Sequence, residues 1–112
     1  MVIIMQLNDV IQYMTDLGYK VEVNKETKTY EGKKINQTIL LIEKEVIDAK
    51  SRVWYHFENR SGDIYSGDWT WYLNAKAWNS QGEYEVFEEE YEFLNQMNFE
   101  KFINMVEKYI KE

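Results

Sequence analysis

The chain has 112 residues with no Cys, no Pro and a single His, and its 20 Asp+Glu against 13 Lys+Arg give a formal net charge of -7. The lack of Cys excludes disulfides, Cys-ligated zinc and thiol nucleophiles and suits a reducing compartment. The acidic balance argues against phosphate-backbone binding, which needs Lys and Arg to displace counterions, and a 45 % hydrophobic share is too high for a disordered acidic tail.

That length fits one domain over residues 1–112. The apolar start, Met-Val-Ile-Ile-Met, has no basic region before it and no small-residue cleavage site after it, and no window reaches the length of a membrane span. It reads as an edge strand or a frayed lead-in, and the cytoplasm is the expected location.

The first helix is expected from Asn8 as cap, with Asp9 in its first turn and Val10, Ile11, Met14 and Leu17 at helical spacing. Gly18 supplies the left-handed stop. Tyr19, Val21 and Val23 alternate with polar residues as a half-buried strand, and the polar run 25–34 reads as a loop or long hairpin tip. Ile35–Glu43 and Arg52–Asn59 are strands. A turn over 59–63 leads to a fourth strand from Ile64 to about Asn74, in which Ser66-Gly67-Asp68 makes a bulge or second turn.

Gly82–Met97 is ambiguous. As a helix it aligns Tyr84, Phe87, Tyr91 and Leu94. As a strand it follows a turn at Asn79–Gly82, and the parity slip between Val86 and Phe87 then requires a bulge. A short strand at Glu83–Phe87 followed by a helix is expected. A last helix capped by Asn98 carries Phe99, Phe102, Ile103, Val106 and Ile110 on one stripe. The fold class is α+β: an antiparallel meander of about four or five strands flanked by an N-terminal and a C-terminal helix, since the connections are too short for parallel crossovers.

Little in the chain is catalytic. His56 alternates with Trp54 and Glu58 on a strand face, away from any nucleophile elbow. The two Ser-Gly-Asp runs are turns and not twelve-residue calcium loops, and no glycine-rich phosphate loop exists. No enzyme activity, cofactor or metal is expected. A small hydrolase using a carboxylate pair around Asp63 or Asp68 is the remaining catalytic alternative.

Charge is the informative feature. Residues 61–97 hold eight acidic residues against Lys76 alone, so the whole formal excess lies there, interleaved with Trp69, Trp71, Tyr72, Trp78, Tyr84 and Tyr91. Carboxylates beside aromatics meet Arg and Lys by ion pairing and cation–π contact. Their spacing of about 6–7 Å at i, i+2 on a strand is close to that of successive phosphates. The same pattern also describes a solvated face with tryptophans in a core.

Leu7-Asn8-Asp9-Val10-Ile11, followed by Gly18-Tyr19-Lys20-Val21, resembles the start of small phage anti-CRISPR proteins that inhibit the type II-A RNA-guided nuclease. The run Trp78–Glu85, leading into Glu88-Glu89-Glu90-Tyr91, is similar to the acidic segment of the same family. The resemblance implies an inhibitor that mimics DNA and fills the basic cleft where the nuclease reads its short recognition motif. Tyr84, Glu85, Glu88, Glu89 and Glu90 would then meet its arginines and lysines. Asp63, Asp68, Tyr91 and Glu92 complete the expected partner-binding set. The alternative from the same acidic patch is an immunity or antitoxin-like protein that neutralises a basic nuclease toxin. Neither reading requires membrane contact or direct nucleic-acid binding.

Overall fold

Alternation dictates the architecture: Val53, Tyr55, Phe57 and Asn59 are buried while their neighbours in sequence are not, and Leu73, Ala75 and Ala77 repeat the pattern one strand on, after the buried pair Thr70-Trp71. The computed structural model describes residues 2–44, 51–62 and 70–112. Their order is α1 (Leu7–Asp16), β1 (Lys20–Tyr30), β2 (Lys33–Glu43), β3 (Arg52–Gly62), β4 (Thr70–Trp78), β5 (Tyr84–Tyr91) and α2 (Gln96–Ile110). The strands form one antiparallel sheet in the order β1-β2-β3-β4-β5, with β1 and β5 at its edges. This is the expected α+β meander between two helices, with five strands.

The register places Leu40, Phe57 and Leu73 side by side across the sheet, and Ile42, Tyr55 and Ala75 in the next row. Val10 and Met14 of α1 and Phe99, Phe102, Ile103 and Val106 of α2 close over them as one core. Phe57 lies at its centre, with ring centroids 5.8 Å from Phe99 and 6.2 Å from Phe102. Tyr13 meets Phe99 edge-on at 5.0 Å and joins the two helices. The molecule measures 47 × 34 × 21 Å. Its thickness is that of one helix layer on one sheet layer, and among the described residues the other face of the sheet carries no helix.

Several boundaries differ from those expected, each for a physical reason. The cap of α1 is Gln6, not Asn8; the carboxylate of Asp9, at the third helical position, accepts the Gln6 N–H at 2.8 Å. Gly18 does stop the helix, at φ 91°. The polar run 25–34 is mostly strand, because backbone pairing continues from Lys25↔Thr38 to Tyr30↔Lys33 even where both faces are wet. The loop shrinks to Glu31-Gly32, both at positive φ (50° and 77°), the two-residue turn that matches strand twist. The turn expected at 59–63 does not begin at Asn59, since β3 runs through Gly62; β4 begins at Thr70. Ile64, Ser66-Gly67-Asp68 and Trp69 lie outside the described residues.

The largest correction concerns Gly82–Met97. It holds no helix before Gln96: Tyr84–Tyr91 is one continuous strand paired with β4 from Trp78↔Tyr84 to Trp71↔Tyr91. No bulge is needed. Phe87 and Tyr91 turn toward the helices, while Val86 stays on the opposite face, 51 % exposed. The turn before it is the one the strand reading requires: Asn79 Oδ1 accepts from Gln81 N at 3.0 Å and Glu83 N at 3.1 Å. The N-terminal lead-in is extended, with Met5 N–H donating to Leu94 O and Gln96 N–H to Ile3 O, both at 2.8 Å.

The cap of α2 is Asn95, not Asn98; its Oδ1 accepts from Asn98 N at 2.8 Å. An Asn95→Ala change leaves that donor without its partner and should lower stability by about 1 kcal/mol, read from urea denaturation with an unchanged m-value.

Candidate acidic interface

Each side chain of the acidic segment is placed by the parity of an edge strand. Tyr84, Glu88 and Glu90 stand opposite Trp78, Asn74 and Tyr72, on the helix-free face. Glu85 and Glu89 stand opposite Ala77 and Leu73, on the helix-bearing face, yet both are exposed. The single patch expected from the sequence is therefore a ridge whose carboxylates leave both faces of β5 and meet at its free edge. Tyr91 is half-buried against the core, and Glu92 follows the end of the strand, exposed. Asp63 and Asp68 lie outside the described residues.

Among the described residues no cation forms an ion pair with Glu85, Glu88, Glu89 or Glu90. Their field reaches the nearest phenols. The Tyr91 hydroxyl is pushed above its ordinary range by partial burial and then by Glu89. Tyr109, whose ring meets Phe87 at 5.8 Å, is raised by desolvation and then by Glu83, Glu85 and Glu112. Unpaired like charges on an edge strand also block edge-to-edge association.

Sequence reasoning missed a second feature, an aromatic–cation ladder at one end of the helix-free face. The Arg52 guanidinium lies 4.1 Å from the Trp78 ring centre and 5.4 Å from that of Trp54. Trp54 and Trp78 meet edge-on at 5.3 Å, and Lys76 Nζ sits 4.7 Å from the Tyr84 ring centre. The usable signal was parity: Arg52 and Trp54 share a face with Lys76 and Trp78 once β3 and β4 are paired in register.

His56 Nε2 lies 2.9 Å from Glu58 Oε1, and Glu58 also accepts from Arg60 and from Gln37 Nε2, the latter at 2.9 Å. Burial works against the charged form of Glu58, but these three hydrogen bonds and the Arg60 charge outweigh it, so its carboxyl is held below its ordinary range. A depressed carboxyl contributes stability that is present above the unfolded-state pKa and lost as pH falls through the folded one. Glu58→Gln should lower stability at neutral pH and flatten its decline on the acid side, measured as Tm against pH.

Among the described residues no group of three or more His, Asp or Glu is placed to hold a metal ion, and no helix is long and apolar enough to cross a membrane. No protein-family model, curated protein or solved structure matches the chain.

Proposed function

We propose that this protein is a non-enzymatic inhibitor that lays the acidic edge of β5 into the basic DNA-binding cleft of a host protein, in the cytoplasm of the infected cell. The observation that carries this reading is the ridge itself. Glu85, Glu88, Glu89 and Glu90 are exposed along one free edge, and no cation of the described residues pairs with them. A strand of eight residues spans about 26 Å, the reach of a row of phosphate contacts. The resemblance to phage anti-CRISPR proteins makes the partner a guide-loaded type II-A CRISPR nuclease, with the ridge standing where arginines would read the DNA next to the target. The mechanism is occupancy: carboxylates accept charge-assisted hydrogen bonds from Arg and Lys, and neither cofactor nor bond-making is involved.

The test is target-DNA cleavage by the guide-loaded nuclease with increasing inhibitor, at low and high salt. The reading requires inhibition that competes with target DNA and weakens as salt screens the ridge. No inhibition at a large molar excess would remove the nuclease as partner. Specific retention of a basic nuclease toxin on the immobilised protein would replace this reading with that of an immunity protein.

A further inference from the structure

On the helix-bearing face, the row of the sheet beside Leu40, Phe57 and Leu73 is Thr38, Asn59, Trp71 and Tyr91. Where this row meets the N-terminal lead-in and the residues after β5, the chain leaves a cleft of about 660 Å³. Asn59 and Trp71 line it from the sheet, Ile4 and Leu7 from the lead-in and the start of α1, and Phe93 and Leu94 from the segment that follows β5. Its volume lies within the range of roughly 300–1,000 Å³ typical of small-molecule sites.

The lining specifies what the cleft takes. Asn59 is only 4 % exposed, and among the described residues its Nδ2 has no hydrogen-bond partner. It continues the inward-facing series Val53, Tyr55, Phe57, yet it sets a carboxamide where those positions carry apolar side chains. A buried donor without an acceptor costs the fold free energy, and a ligand that supplies the acceptor offsets that cost. Charge narrows the class further. The chain carries 13 Lys+Arg and 20 Asp+Glu, but none of the described residues lining the cleft is charged, so an ion would enter it without a counter-charge. The rings of Trp71 and Phe93 favour a flat ligand.

We propose that this cleft binds a neutral aromatic small molecule that presents a carbonyl or ring-nitrogen acceptor to Asn59 Nδ2. The acceptor lies at the buried end, against the sheet, and the ring fills the apolar space between Trp71 and Phe93. Phe93 is 56 % exposed and forms the outer wall, which the ligand covers. The lead-in is tied to the other wall by the bonds from Met5 N–H to Leu94 O and from Gln96 N–H to Ile3 O, so a ligand seated between lead-in and sheet holds both. Glu85, Glu88, Glu89 and Glu90 do not line the cleft, and the site is independent of what the acidic edge binds.

The experiment is titration of the full chain, followed in nitrogen–proton correlation spectra, with three probes of one shape: acetophenone, α-methylstyrene, in which a CH₂ group replaces the carbonyl oxygen, and benzoate, which is charged. Acetophenone is expected to bind with a Kd of about 1 mM, an ordinary efficiency for so small a ligand, and to move the Asn59 side-chain amide, the Trp71 indole N–H and the backbone amides of Leu7 and Phe93. Benzoate should bind at least roughly tenfold more weakly. Asn59→Leu keeps the volume and removes the donor, so its Tm should equal or exceed that of the wild type, and the ratio of the acetophenone Kd to the α-methylstyrene Kd should rise roughly tenfold. Phe93→Ser, at the exposed wall, should weaken both probes alike and leave that ratio unchanged. Absence of shifts at these groups up to the solubility limit overturns the proposal, as do shifts centred on another tryptophan. A ratio that Asn59→Leu does not move also overturns it, and would leave a bound water as the acceptor for Asn59.

Discussion

Replacing Phe57 by alanine is expected to destabilise the fold by about 3–5 kcal/mol. Phe57 is fully buried on the central strand of five, flanked in the sheet by Leu40 and Leu73 and met by the rings of Tyr55, Phe99 and Phe102. Removing the ring forfeits its transfer from water and opens a cavity at the junction of sheet and α2. The neighbours cannot readily collapse into it, because the sheet ladder fixes the positions of Leu40 and Leu73 and the edge-on contacts fix the two phenylalanines. Against a total stability of about 5–15 kcal/mol, such a loss leaves a marginal protein, with Tm lower by at least roughly 12 °C. Phe57→Leu keeps most of the volume and should cost less than about 1.5 kcal/mol. Urea denaturation of the two variants checks this. If Phe57→Ala cost under about 1 kcal/mol, the core would not be organised around this ring.

The same residues show why some of the fold was legible in the sequence and some was not. The stripe Phe99, Phe102, Ile103, Val106 belongs to α2 on spacing alone, and the alternation Val53, Tyr55, Phe57 belongs to a strand, because one face of each element must be dry. Caps were harder. Gln6 and Asn95 precede stronger-looking candidates by two and three residues, and hydrogen-bond geometry decides between them. Gly82–Met97 satisfied both periodicities, since Tyr84, Phe87, Tyr91 and Leu94 fit a helix while Phe87 and Tyr91 also share a strand face. What settles it is not local. The outer edge of β4, from Trp71 to Trp78, needs a partner for its backbone groups, and β5 supplies it.

The candidate site divides in the same way. Its charge was plain in the composition of residues 61–97, but the division of that charge between two faces follows from an edge strand's parity. The ladder of Arg52, Trp54, Lys76, Trp78 and Tyr84 depends on cross-strand register, which no single segment encodes. Exposure of Trp54 beside burial of Trp71 follows only from knowing which face the helices cover.

Charge reversal at the edge, Glu88→Lys with Glu89→Lys, should abolish inhibition while leaving the fold intact. The choice of lysine matters. The carboxylates of β5 have two possible uses, to keep a free sheet edge from pairing with other chains and to engage a basic partner. Lysine preserves the first and inverts the second, whereas a neutral residue would weaken both. Glu88 leaves one face and Glu89 the other, so the pair probes the ridge whichever side the partner grips. Each charge-assisted hydrogen bond is worth roughly 1.5–3 kcal/mol, so losing two and adding repulsion corresponds to a loss of affinity of more than roughly a hundredfold. Both residues are exposed and without an ion pair among the described residues, so Tm should move by no more than a few degrees. Two further pairs assign the face: Glu88→Lys with Glu90→Lys alters only the helix-free side, and Glu85→Lys with Glu89→Lys only the helix-bearing side. Unchanged inhibition in a folded Glu88→Lys, Glu89→Lys variant would mean that the ridge only protects an edge.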